Sequence, residues 1–227
     1  MTPIVGQRDI YKPPLKNPVR PKLHPNPRLA EAEEFEDDAV LQGVLFSGTA
    51  LSTVQAEVVE LEQSRLESVR LTGAALRQSV LSDTEFATVD FASFRAQDVS
   101  LLRCLVRTSR LTGSSWQAGQ FTDVLFEGGR ADLALFRASK FTRCHFYDVN
   151  LQQADFQGAE LKHVQFESCV LTGAQFASCN MNTVYFNNCT LLDVGGTAGM
   201  KGATVRGPGV MELALSLARD AGILIEQ

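Results

Sequence analysis

Val149-Asn150-Leu151-Gln152-Gln153-Ala154-Asp155-Phe156-Gln157-Gly158-Ala159-Glu160-Leu161 contains the fold in miniature. A small or β-branched residue, a polar one and a large apolar one follow each other three times, each triplet five residues after the last. Counting outward by fives from Leu151, the apolar position runs unbroken from Leu41 to Leu191, 31 times in all. The residue two places before each is small or β-branched at every repeat but Phe94. No charged side chain falls on either set, although at 21% charged content chance would place roughly 13 there.

A helix repeats every 3.6 residues and a strand every 2, so neither keeps a period of five on one side. A short extended run followed by a corner does. Four corners close a square coil, and stacked coils pair along the axis at ~4.8 Å. The prediction is an all-β fold: a right-handed quadrilateral β-helix of nearly eight coils, about 37 Å long, over residues 39–207, closed by a C-terminal helix.

The ladder residues sort by twenties into four sides. One begins at Leu41, the opposite one at Leu51. A third, from Phe46 to Phe186, and a fourth, from Ala56 to Phe176, carry most of the aromatics, which should stack between coils. Phe94 sits beside Ala96, a volume exchange within one core. Ala131 with Gly129 has no such compensation and predicts a bulge or local irregularity.

The triplets quoted above resemble the Ala-(Asp/Asn)-Leu-x-x pattern of the pentapeptide-repeat proteins, over about two thirds of the chain. The resemblance implies the quadrilateral β-helix and fixes no function by itself.

Residues 1–38 form a proline-rich arm with basic residues up to Arg28, followed by an acidic run from Glu31 to Asp38. Asn26-Pro27 reads as an N-cap and first helical position, predicting a short capping helix over 27–36 in which Leu29, Ala32 and Phe35 cover the first coil. Pro18-Val19-Arg20-Pro21 is the arm's other motif, either part of a strap or a partner-binding segment. At the other end, 208–227 reads as a helix and short strand. Leu213, Ala214, Leu217 and Ala218 lie on one helix face, expected to cap the last coil; Met211 and Leu215 lie off it. The Ala218-Arg219-Asp220-Ala221-Gly222-Ile223 ending resembles the C-terminal module through which topoisomerase-protecting members of the family dimerise, implying a homodimer.

The chain has a net charge of −5 and pI 5.3, against a nucleic-acid backbone as direct partner. It carries no signal-like or membrane-spanning apolar run, so a cytoplasmic protein without membrane contact is expected. Its five cysteines all occupy the small position, reading as reduced thiols. No metal, cofactor or catalytic constellation accompanies the three histidines, and a solenoid offers no pocket, so no enzyme is expected.

Function is therefore sought on the outward positions. The Phe46–Phe186 side carries Glu67, Glu85, Glu127, Asp148 and Glu167, with Leu105, Leu125, Tyr147 and Tyr185 as apolar anchors for a protein partner. The resemblance implies that such a side could mimic duplex DNA and bind a type II topoisomerase, DNA gyrase, protecting it from inhibitors such as fluoroquinolones. The alternative is a general interaction or assembly scaffold without a topoisomerase role.

Overall fold

All 31 ladder residues are buried in the computed structural model, which describes residues 15–225. Backbones pair in parallel at intervals of twenty: Leu41 with Leu61, Leu81, Leu101, Phe121, Phe141, Leu161 and Met181 in turn. Twenty residues therefore make one turn of four sides. Long strands at Ser100–Arg107, Gln120–Glu127, Glu160–Glu167 and Asn180–Asn187 bend round one corner, joining the Leu41 and Phe46 sides into a 14-stranded sheet. The Ala56 side carries a four-stranded sheet, and single bridges continue the remaining positions.

The corner is set two residues after each ladder residue. Of the 24 non-glycine residues with positive φ among the described residues, 23 lie there, from Val58 to Asp193, and Asp38 keeps the same phase one step ahead of the ladder. The left-handed conformation reverses the chain every five residues and resets the side-chain phase.

Aromatic rings stack in columns along two sides of the core, and one further pair, Phe121 and Phe141 on the Leu41 side, is parallel at 4.4 Å. Phe126 and Phe146 are parallel at 4.5 Å between centroids, and Phe166 and Phe186 follow at 4.8 Å. Phe136, Phe156 and Phe176 form the facing column, spaced 5.1 and 5.4 Å. Phe94 packs on Trp116 at 5.3 Å above the space left by Ala96. The indole N–H of Trp116 donates to Ser114 Oγ, 3.0 Å away, so its polar end is satisfied inside the core.

The small position does more than make room. Ser79 Oγ accepts from the Val59 N–H at 3.0 Å and donates to the Arg77 carbonyl; Ser64 and Ser109 repeat the arrangement. The cysteine thiols donate to carbonyls in the same slot, Cys104 to Leu81 and Cys144 to Phe121.

Four expectations need correction. The solenoid has about nine turns rather than nearly eight, because both ends extend the ladder: Arg28–Leu29 pairs with Val44 and Leu45, and Thr204–Arg206 pairs with Tyr185–Asn187. The latter pairing sets Val205 against Phe186, nineteen residues apart, so the last turn is one residue short. The helix over 27–36 is instead this strand and a 3-10 turn at Ala32–Glu34, pinned by a bidentate Arg28–Glu34 pair. Phe35 covers the open end edge-on to Phe46 at 5.7 Å, joined by Ala30, whereas Leu29 is 69% exposed. Of the bulge or local irregularity predicted at Ala131, the bulge is absent, since Arg110, Arg130 and Asn150 stay in register, and the irregularity falls on Gly129, the one small-position residue with positive φ among the described residues. Gly129 lets the coil draw in there: φ is +88°, and a Cβ would lie 2.2 Å from the Ser109 carbonyl oxygen.

The C-terminal helix, α1, spans Gly209–Asp220. Its first residue lies so close to the Cys189 carbonyl that a Cβ would come within 2.3 Å, so glycine is required. The stripe facing the solenoid is Gly209, Glu212, Leu213, Ser216 and Asp220, with Gly209 and Ser216 buried. Glu212 accepts from the Leu191 N–H, Asp220 from the N–H and hydroxyl of Thr197, and Arg219 donates to the Val194 carbonyl. The cap thus satisfies the open backbone edge with polar side chains. The predicted capping face is overturned, for Leu217 is 48% exposed and Ala214 is also exposed. Residues 223–225 pair with no strand, and the rest of the predicted terminal strand, like residues 1–14 of the arm, lies outside the described residues.

Candidate partner-binding surfaces

The Phe46–Phe186 side presents two outward rows. One runs Leu45, Arg65, Glu85, Leu105, Leu125, His145, Gln165, Tyr185; the other runs Ser47, Glu67, Ala87, Arg107, Glu127, Tyr147, Glu167, Asn187. The predicted carboxylates fall within these rows, except Asp148 at the adjoining corner. Most are paired. Glu85 lies between Arg107 and Arg65, Glu127 faces Arg20, and Glu167 meets His145 Nε2 at 3.1 Å. Burial pushes the His145 pKa down, against the opposing charge of Glu167. The side is therefore an alternation of charge rather than a row of free carboxylates.

Three of the four apolar anchors are not available on the surface. Leu105 and Leu125 are each 8% exposed and Tyr185 6%, while Tyr147 is 47% exposed. The Arg206 guanidinium lies over the Tyr185 ring at 5.8 Å. Leu125 is covered by residues 15–25, which run along the solenoid as a strap. Asn17, Pro18 and Arg20 share a crevice with Leu125, Glu127, His145 and Tyr147. Leu15 to Pro18 lie against His145, His163 and Gln165 one coil further.

The strap follows a single corner row, Gln63, Asp83, Arg103, Asp123, Arg143, His163. Asp123 accepts from the Val19 N–H at 3.2 Å, Asp83 from the Lys22 N–H at 2.9 Å, and the Gln63 carbonyl from the His24 N–H at 2.9 Å. Each aspartate is gripped by the next arginine in the row: Arg103 Nε donates to Asp83 at 2.9 Å, and Arg143 Nε to Asp123 at 2.9 Å. The Arg103 contact, joined by the Lys22 N–H, holds Asp83 below the usual carboxylate range. Burial pushes Asp123 up, but Arg143 and the Val19 N–H outweigh it and hold that carboxyl low as well. Neither aspartate was singled out from sequence. The available signal was the pair of outward leucines on adjacent coils, Leu105 and Leu125, which mark a covered strip.

The C-terminal end differs in kind. Val210, Met211, Leu215 and Leu217 on α1 are 46–71% exposed, and Ile223, Leu224 and Ile225 beyond it 52–92%. Leu213 is half-buried on the core, and Ala218 is partly buried. A shallow open depression beside this surface is lined by Gly196, Thr197, Ala198, Leu217, Asp220 and Ala221. Among the described residues, no three His, Cys, Asp or Glu side chains converge as metal ligands, and no helix is long and apolar enough to cross a membrane.

Residues 119–195 match the family described as "Pentapeptide repeat region". No curated protein matches the sequence. Among solved structures, the chain is similar to a trypsin-treated variant of QnrB1, a plasmid-mediated fluoroquinolone resistance protein. The identity is 14%, with 87% of this chain and 99% of that one covered, at a TM-score of 0.41. HetL, involved in heterocyst differentiation regulation in the cyanobacterium Nostoc sp. strain PCC 7120, is 16% identical over 74% of this chain and 89% of its own, at a TM-score of 0.26. A protein of the Arabidopsis thaliana thylakoid lumen is 19% identical over 67% of this chain and 74% of its own, at 0.23. None of these likenesses is close enough to carry a function across. Residues 119–195 are a pentapeptide-repeat region, and the same five-residue register carries that repeat from Leu41 to Leu191.

Proposed function

We propose that this protein is a non-enzymatic, protein-binding solenoid that acts as a cytoplasmic homodimer joined through its C-terminal ends. The observation that carries this reading is the contrast between ends and sides. Among the described residues the sides are charged and regular, whereas α1 turns its polar stripe inward and Val210, Met211, Leu215 and Leu217 outward. An apolar surface of that kind suits a second copy related by a twofold axis. Light scattering should give twice the 24.8 kDa chain mass, and Leu217→Glu should return it to the monomer. A monomeric wild-type mass at micromolar concentration would remove the dimer.

For the partner of the sides, a type II topoisomerase engaged by duplex mimicry is supported by the carboxylates Glu67, Glu127, Asp148 and Glu167 and by the family resemblance. The interleaved Arg65 and Arg107, and the strap's Arg20 on Glu127, favour instead a protein partner of mixed charge, as in the scaffold reading. A gyrase supercoiling assay separates the two. Inhibition, or relief of fluoroquinolone poisoning, at micromolar protein supports the topoisomerase reading; neither effect leaves the scaffold.

A further inference from the structure

We propose that the corner row Asp83–Arg103–Asp123–Arg143 is a docking groove for a polyproline II peptide, and that residues 15–25 are its occupant in cis. It takes, in trans, an extended partner segment of the pattern Pro-x-x-Pro-x with a cation after the first donor. This inference goes beyond the reading above and does not depend on which partner the carboxylates of the adjoining side engage.

The argument is a match of two periods. Asp83 and Asp123 stand forty residues apart, two coils of the solenoid, or ~9.6 Å along its axis. Val19 and Lys22, whose N–H groups they accept, stand three residues apart. Three residues are one turn of polyproline II, with a rise of ~9.3 Å. One peptide turn therefore spans two coils, and each turn can present an N–H to an aspartate of the row.

Burial along the strap has the same period. Leu15, Pro18, Pro21, His24 and Pro27 are half-buried, with Leu23 beside His24 the one off-period addition, whereas Lys16, Asn17, Val19, Arg20, Lys22, Pro25 and Asn26 are exposed. One edge of a threefold helix thus faces the solenoid. The two N–H donors each follow a proline, Pro18 and Pro21, which removes a competing donor and fixes φ.

The acceptors are built to hold still. The side chains of Asp83 and Asp123 are 5% and 6% exposed, and each is held by a two-nitrogen arginine contact, leaving Oδ1 to meet the peptide as well. Arg20, one residue after the first donor, pairs with Glu127 at 3.1 Å and supplies the cation. The proline edge rests over Leu125 and His145. Backbone donors, proline spacing and one charge are all that the groove reads, so a segment of another polypeptide with this pattern meets the same contacts.

Two measurements on the full chain test this. In the wild-type protein the Val19 and Lys22 amides should exchange hydrogen at least about 100-fold more slowly than those of Asn17 and Arg20. Equal rates at all four overturn the proposal. In the V19P/K22P chain both donors are gone while the groove is unchanged. A labelled peptide of residues 15–26 should bind that chain saturably, and about tenfold or more weaker to wild type, whose own strap competes at high effective concentration. The same peptide with proline at both donor positions should lose the binding, whereas alanine in place of Val19 and Lys22 should keep affinity within about threefold, since the groove reads backbone. Absence of binding to the V19P/K22P chain, or equal binding of the proline-substituted peptide, overturns the groove without touching the dimer or topoisomerase readings.

Discussion

At the scale of the residue, the corner is where local preference and fold disagree. A β-branched residue in the left-handed region is disfavoured, yet Val58 sits there at φ 58° and 43% exposed. Its own N–H still donates to the Arg77 carbonyl, so the ladder imposes the conformation. Val58→Asn should raise stability by about 1 kcal/mol, measured by urea unfolding. The buried serines give the opposite case. Ser79→Ala leaves the Val59 N–H without its acceptor and should cost about 1–3 kcal/mol, whereas Ser79→Cys, whose sulfur is a weak acceptor for that N–H and a weak donor to the Arg77 carbonyl, should cost less. The apolar and small positions were legible in the sequence because burial excludes charge from them. The corner was not, because backbone geometry selects it and turns its side chain away from the core, free to be Asp, Gln, Thr or Leu.

At the scale of the element, strap and cap show the limit of reading by periodicity. A proline-rich segment carries no hydrophobic repeat, so nothing within it marks the strip that it covers, and Leu105 and Leu125 read as partner anchors instead. The Asn26-Pro27 capping signal predicts a helix over 27–36, but the open backbone edge of the first coil takes Arg28–Leu29 as a strand, with a 3-10 turn at Ala32–Glu34 after it. The apolar face of α1 was assigned inward because burial is the usual fate of leucine. The last coil ends in unpaired backbone groups, and these drew Glu212 and Asp220 inward instead. The Thr197 backbone and hydroxyl hold the Asp220 pKa below the usual range. Asp220→Ala should lower stability by about 1–2 kcal/mol in thermal unfolding, with the loss confined to neutral pH, since protonation in acid removes the same contact from the wild type. The strap should respond to pH in the same sense. Asp83 and Asp123 are held below their ordinary values, so their grip is complete above the ordinary carboxylate pKa and fades only as pH falls through the lowered values. Arg103 and Arg143 stay charged throughout. Pepsin should therefore cut near Leu15 or Leu23 only well below about pH 4; cutting that begins at pH 5 would contradict the assignment.

At the scale of the molecule, the core is one continuous column closed at both ends. Cys104 and Cys144 lie inside it, their thiols pushed up to about 12 by burial, and Cys179 is pushed up to about 11 for the same reason with less cover. A thiol reagent at pH 8 should modify Cys179 first and leave Cys104 and Cys144 untouched until the chain unfolds, as mass spectrometry of the labelled peptides would show. The whole-molecule architecture was the most legible level, because a period of five admits few geometries. The surfaces were least legible, since whether an outward residue meets water depends on segments far away in sequence.

The strap has a consequence for how the rod comes apart. A solenoid whose coils touch only their neighbours behaves as a one-dimensional array and frays from its ends, coil by coil. Here Val19 is tied to Asp123 across 104 positions and Lys22 to Asp83 across 61. The coils between Gln63 and His163 are laced together by a second cord running along the axis, and losing one of them slackens the cord for all. Under force or denaturant the laced section should yield as a single block, while the coils from Ser168 to Arg206 beyond it can peel on their own. One uniform repeat is thereby divided into two units of different cooperativity.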